Sequence, residues 1–168
     1  MQKQSFIIVT LALDEEMIVY FNRLRQLYYP KHCNYLDAHL TLFHKLPYPN
    51  TSILDTIETI CNCPTFYVQI ASLKNMGKGV AFEILSEELS ALHQKMQIAL
   101  DAYLIKKDRQ VLWPHITIQN KVTVFKAAGT FNTLQQNFEP FNIKAIGIDV
   151  WLYLSGHWQK LSTYNFKV

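Results

Sequence analysis

Apolar and polar positions along this chain switch repeatedly between a period of two and a period near 3.6. The stretch Ser5–Leu13 is β-rich and almost continuously apolar, the pattern of a strand covered on both faces. Asp14 follows as a helix cap, with Glu15 and Glu16 in the first turn, where the helix dipole favours acids. Met17, Phe21, Leu24 and Tyr28 then recur at helical spacing until Pro30 ends the run. Residues 38–46 alternate again and stop at Pro47. A second helix opens at Thr51 or Ser52, turns Ile53, Ile57 and Ile60 inward, and closes before Pro64.

The second half repeats this rhythm. Residues 65–73 and Val80–Leu85 predict two strands around the turn-rich segment 74–79. Ser86, with Glu87 and Glu88 behind it, caps a helix whose stripe is Leu89, Leu92, Met96, Ala99 and Tyr103. Residues 114–122 predict another strand. Val124, Ala128, Phe131, Leu134 and Phe138 predict a helix after it, weakened by Gly129. Phe141–Leu154 and residues 157–166 close the chain as a hairpin around Ser155-Gly156. No linker interrupts the series, so the pattern predicts a single α/β (α+β) domain over residues 1–168.

Composition narrows the class. Of 168 residues, 49% are hydrophobic and 17% charged, which excludes a disordered or collagen-like chain. The longest apolar run, residues 6–13, is far short of the ~18–20 residues of a membrane span. Lys3 before it imitates the start of a signal peptide, but no small-residue cleavage site follows, and a first strand is the better reading. A net charge of +3 permits an anionic substrate without pointing to one. Cys33, Cys61 and Cys63 form no disulfide framework, which predicts a reducing, cytoplasmic setting. Cys61-x-Cys63 has no second Cys/His pair of matching spacing, so no metal site is predicted.

Two segments, nearly half the chain apart, superpose: His39-Leu-Thr-Leu-Phe-His-Lys45 and His115-Ile-Thr-Ile-Gln-Asn-Lys121. Both read His-apolar-Thr-apolar, and both place Lys six residues after the His. In a shuffled chain of this composition two such matches arise on the order of once per thousand, before the shared Lys is counted. Each match follows one helix and precedes another, which predicts two pseudo-equivalent lobes. Period-two geometry puts His39, Thr41, Phe43 and Lys45 on one face, and His115, Thr117, Gln119 and Lys121 on the matching face of the second strand. Two imidazoles and two hydroxyls then converge on a shared cleft. Imidazole supplies acid or base near neutral pH, and hydroxyls bond an anionic oxygen.

These paired motifs resemble those of the 2H phosphoesterase superfamily, which includes the 2′-5′ RNA ligase-like proteins and the cyclic phosphodiesterases. The resemblance implies a bilobal fold with antiparallel sheets lining a central groove and helices outside. It implies His39 and His115 as acid and base, and Thr41 and Thr117 as phosphate ligands. It also implies a metal-independent phosphodiesterase, with no cofactor, acting on 2′,3′-cyclic phosphate or 2′-5′ bonds of an RNA end or small nucleotide. RNA 2′-5′ ligation, the reverse reaction, and a non-catalytic RNA-binding module are the alternatives. No membrane contact and no obligate protein partner are expected. One departure is Ala38, where such proteins often carry Pro before the first His; the second motif does have Pro114.

Other residues carry weaker signals. Phe43, Trp113, Trp151 and Tyr153 are candidates for stacking a base, although most of the ten Phe, nine Tyr and three Trp must be core. Lys45 and Lys121 lie roughly 20 Å along the strand from their His, so they would reach a neighbouring phosphate or simply solvate a strand end. Lys106, Lys107 and Arg109 read as a solvated loop before the second motif, with a basic lip as the alternative. His44 falls on the aliphatic face of its strand and reads as packed or capping. His32, His93 and His157 have no partner in the sequence.

Overall fold

The computed structural model describes residues 5–168; Lys3 lies outside them. Strand β1 (Ser5–Leu13) leads through Asp14, whose carboxylate accepts from the Met17 N–H at 3.1 Å, into helix α1 (Glu15–Tyr28). Strand β2 (Leu40–Tyr48) and helix α2 (Thr51–Ile60) follow, and α2 opens at Thr51, capped by the Asn50 side chain. Strands β3 (Phe66–Asn75) and β4 (Val80–Leu85) form a hairpin, and Ser86 caps α3 (Glu87–Ala99) as expected. Strand β5 (His115–Gln119), helix α4 (Val124–Gln135) and the hairpin of β6 (Phe141–Leu154) and β7 (His157–Asn165) complete the chain. No helix among the described residues is long and apolar enough to cross a membrane.

All strand pairs are antiparallel, in the order β2-β1-β6-β3-β4-β5, with β7 also on β6. The long strand β6 is the spine of both lobes. Its residues 147–152 pair with β1 on one edge and β7 on the other, whereas Ala145 pairs with Leu13 of β1 and Phe66 of β3. The second edge of β6 is therefore shared end to end by β3 and β7, and the sheet divides there into two four-stranded parts. Gly147 sits at the division. A Cβ on it would lie 2.4 Å from the Tyr164 carbonyl oxygen, too close for any other residue.

Strands β2 and β5, which carry the two motifs, stand at opposite ends of the strand order yet touch one another. The sheet must curl to bring them together. Helix α1 packs against β5, and α4 against β3 and β4. The apolar core runs through Ile7, Val9, Leu40, Ile70, Ile84, Ile116 and Ile148, all fully buried.

Two expectations for β2 need correction. The strand does not stop at Pro47, which pairs with Phe6 inside the ladder. As the outermost strand of its lobe, β2 has one edge unpaired, where a missing N–H costs nothing. Nor does strict alternation hold: the β1–β2 register slips twice between Leu46 and Thr41. Each extra residue moves the following side chains to the opposite face. Phe43 consequently leaves the cleft for the core, where it is fully buried and stacked on His93 at 4.8 Å. His44 moves the other way, into the cleft. A similar slip beside β5 buries Gln119, whose amide donates to Thr130 Oγ1 at 2.8 Å.

Candidate active site

Both motif histidines are held by the same backbone device. His39 Nδ1 lies 2.7 Å from the carbonyl oxygen of Asp37, and His115 Nδ1 lies 2.8 Å from that of Trp113, in each case the residue two positions upstream. A carbonyl oxygen can only accept, so Nδ1 of each ring carries hydrogen. Each Nε2 is left for chemistry: lone pair when the ring is neutral, N–H when it is charged. Each ring also lies against an indole, His39 with Trp158 at 4.6 Å and His115 with Trp113 at 4.1 Å.

The two lobes exchange their threonines. A cavity of about 260 Å³ holds His115 together with Thr41, His44, Lys107 and Trp113, and one of about 340 Å³ holds His39 together with Arg25, Thr117, Lys121 and Trp158. Each imidazole therefore shares a cavity with the threonine of the other motif. Tyr153 lines the second cavity, stacked on Phe6 at 4.6 Å. Trp151 and Lys45 line neither. The Trp151 indole donates to Thr10 Oγ1 at 2.9 Å, and the Lys45 ammonium rests 5.1 Å above the Phe6 ring. Of the basic cluster before β5, Lys107 reaches the cleft, while Arg109 is drawn away by Asp101.

The two imidazoles are not electrically equivalent. Loss of water around the ring pushes the His39 pKa down to about 4; the Asp37 carbonyl opposes this, and the charges of Arg25 and His115 reinforce it. Burial also lowers His115, against the Trp113 carbonyl, with smaller repulsion from His44 and Lys107. The asymmetry distinguishes two residues that the repeated motif makes look alike.

Several cleft residues carry little or no sequence signal. Arg25 is buried on α1, with Nε donating to Asn34 Oδ1 at 3.1 Å and Nη1 to the Thr117 carbonyl at 2.9 Å. Its place four residues after Phe21, on the inward stripe of α1, was the available clue. His44 Nδ1 bonds Asp108 Oδ1 at 2.8 Å, and the same carboxylate accepts from the His44 and Lys45 N–H groups at 2.9–3.0 Å. Burial alone would raise the Asp108 pKa; these donors outweigh it and hold the carboxyl below the ordinary range. His93, by contrast, is a core residue, with Nε2 3.0 Å from the Leu42 carbonyl.

A family model described as the 2′-5′ RNA ligase superfamily matches residues 13–157. No curated protein matches significantly in sequence. Solved structures with the same fold include TT0787 of Thermus thermophilus, with a TM-score of 0.64 and 13% identity over 96% of this chain and 97% of that one. Another is Escherichia coli LigT with 3′-AMP, with a TM-score of 0.63 and 12% identity over 99% and 100%. A third is described as a phosphoesterase, with a TM-score of 0.62 and 11% identity over 99% and 100%. LigT has also been solved with phosphate, ATP and NADP+.

Proposed function

The chain belongs to the 2′-5′ RNA ligase superfamily, and on that premise we propose that it is a two-histidine phosphodiesterase acting on 2′,3′-cyclic phosphate or 2′-5′ phosphodiester bonds. The observation that carries this reading is the matched anchoring of both rings. With each Nδ1 tied to a carbonyl, each Nε2 is left for chemistry, and each ring lines a cavity with the threonine of the opposite motif. A binding groove alone has no use for a matched acid and base.

His39 suits the base. With a pKa near 4 it is neutral over most of the working range, so its Nε2 lone pair takes a proton from water as the water oxygen attacks phosphorus. His115, when protonated, gives its Nε2 proton to the leaving ribose oxygen as that P–O bond breaks. Proton exchange with solvent then resets both rings. Thr41 and Thr117 donate to the non-bridging oxygens as negative charge builds on them. Acid–base terms of this kind supply ~10²–10⁴-fold each, enough to run the reaction without a metal. The nucleotides bound in the LigT structures favour a nucleotide-sized substrate here.

The test is a panel of 2′,3′-cyclic nucleotides and 2′-5′-linked oligonucleotides, offered to the purified protein in EDTA. Hydrolysis of a member of the panel is expected. Retained RNA binding without turnover of any member would mark a binding module instead. Joining of RNA ends in place of cleavage would mark ligation as the activity.

A further inference from the structure

We propose that Arg25 is a further catalytic residue of this site, gripping the non-bridging oxygens of the substrate phosphate from the His39 side. The proposal rests on the phosphodiesterase reading for the identity of that phosphate. Its evidence starts from a residue outside the two motifs.

Arg25 is only 4% exposed, and among the described residues no carboxylate lies within 4 Å of its guanidinium. Its partners are neutral: the Asn34 amide oxygen, the Thr117 carbonyl, and the Tyr29 ring 4.2 Å from Cζ. The Asp37 charge favours the guanidinium from beyond ion-pair distance, but a buried charge with no counter-ion in contact is expensive, and proteins tolerate it where an anion arrives to complete it. A bond to the Thr117 carbonyl alone requires only a neutral donor, so tethering α1 to β5 does not explain a permanent charge here. The guanidinium has five N–H donors in a rigid fork, and the bonds to Asn34 and Thr117 engage two of them. The remainder belong to a side chain lining the cavity that also holds His39, Thr117 and Lys121. A planar fork matches two oxygens of one phosphate.

The position gives Arg25 two effects on one event. It contributes positive charge where the phosphate becomes more negative in the transition state. It also repels a proton from His39, helping to keep that ring neutral; burial is the larger cause. Asp37, His115, Tyr29, Cys33, Tyr35, Lys121 and Tyr153 are the other charged or titratable groups around His39 and this cavity. Asp37 is a carboxylate that acts on Arg25 through its charge but forms no ion pair with it within 4 Å.

The experiment compares wild type, Arg25→Gln and Arg25→Lys. Inorganic phosphate is titrated against the imidazole NMR signals, alongside kcat and KM with a 2′,3′-cyclic nucleotide and the pH profile of kcat/KM. In Arg25→Gln, phosphate affinity should fall at least tenfold and kcat/KM about 10²–10³-fold. The acidic limb of the profile should also move to higher pH as His39 becomes easier to protonate. Arg25→Lys should lie between, because it keeps the charge and loses the fork. A folded Arg25→Gln with wild-type phosphate affinity and kcat/KM within threefold would reduce Arg25 to a tether and overturn the proposal. If Arg25→Gln does not fold, Arg25→Lys decides, and wild-type values on both readouts overturn it. Phosphate binding needs no turnover. A wild-type protein that binds phosphate through Arg25 but cleaves no phosphodiester would therefore defeat the proposed function and the catalytic role of Arg25 with it, and leave only its grip on phosphate standing.

Discussion

The His115 ring lies on the Trp113 ring with 4.1 Å between centroids and 21° between planes, while its Nδ1–H donates to the carbonyl of the same residue. Trp113 is itself fixed by its indole N–H, which reaches Glu83 Oε2 at 2.8 Å, and Glu83 pairs with His115 across the β4–β5 ladder. The acid of the proposed mechanism is thus oriented by one residue in two ways, and only the backbone part survives a substitution. A stack of this kind is worth about 0.5–1.5 kcal/mol. Trp113→Ala should therefore lower kcat/KM on a cyclic nucleotide by roughly two- to tenfold, and Trp113→Phe should recover most of the loss. Equal rates for Trp113→Ala and wild type would show that the indole does not hold the ring.

His39→Ala and His115→Ala should each remove most turnover while the thermal midpoint stays close to wild type, since both rings border the cleft rather than fill the core. Thr41→Ala and Thr117→Ala should be milder, at most on the order of 10²–10³ in kcat, the cost of one oxyanion donor. Near-wild-type turnover by His39→Ala would remove that residue from the chemistry. Two silent threonine variants would make the hydroxyls structural.

The repeated His-x-Thr-x was readable because each motif sits at a strand start, before any slip of register accumulates. Its downstream neighbours were not readable for the same reason. Period-two reasoning put Phe43 in the cleft and His44 in the core, and two slips against β1 exchanged them. Helix caps such as Asp14 and Ser86 were legible because a single side chain and a single N–H define them. Long-range partners leave no local trace. Arg25 meets Thr117 across 92 residues, and Asp108 meets His44 across 64. Trp158, at the far end of the chain, gave no hint that it would lie against His39.

Asp108 makes a stability prediction. Its fully buried carboxylate accepts from two backbone N–H groups and the His44 ring, joining the 3₁₀ turn Lys106–Arg109 to β2. Asp108→Asn puts an NH2 donor where an acceptor is needed, at a cost of about 1–3 kcal/mol in urea unfolding at pH 7. The folded-state pKa of Asp108 is depressed, so its contribution is complete above the unfolded value and is lost as pH falls through the folded one. The gap between wild type and variant should therefore close below about pH 4. A gap as wide at pH 3 as at pH 7 would trace the loss to packing and not to the ionised carboxylate.

The pH profile tests the proposed division of labour between the two rings. On that proposal the free enzyme is competent when His39 is neutral and His115 is charged. His39 loses its proton near pH 4, and His115 holds its own only up to a value below the ordinary 6.5. The profile of kcat/KM should be a bell with both limbs on the acidic side of pH 6.5, the limbs belonging to the coupled pair. Bound phosphate favours the charged imidazoles, so the bell in kcat should sit at higher pH. Folding sets a boundary on the measurement. His39 is neutral when folded but protonates below about 6.5 when unfolded, so its contribution to stability declines between pH 6.5 and 4 and unfolding must be followed in parallel. Both bells should be unchanged by EDTA. A rate that climbs steadily into alkaline pH, or that EDTA abolishes and a divalent ion restores, would replace the two-histidine mechanism with metal-generated hydroxide.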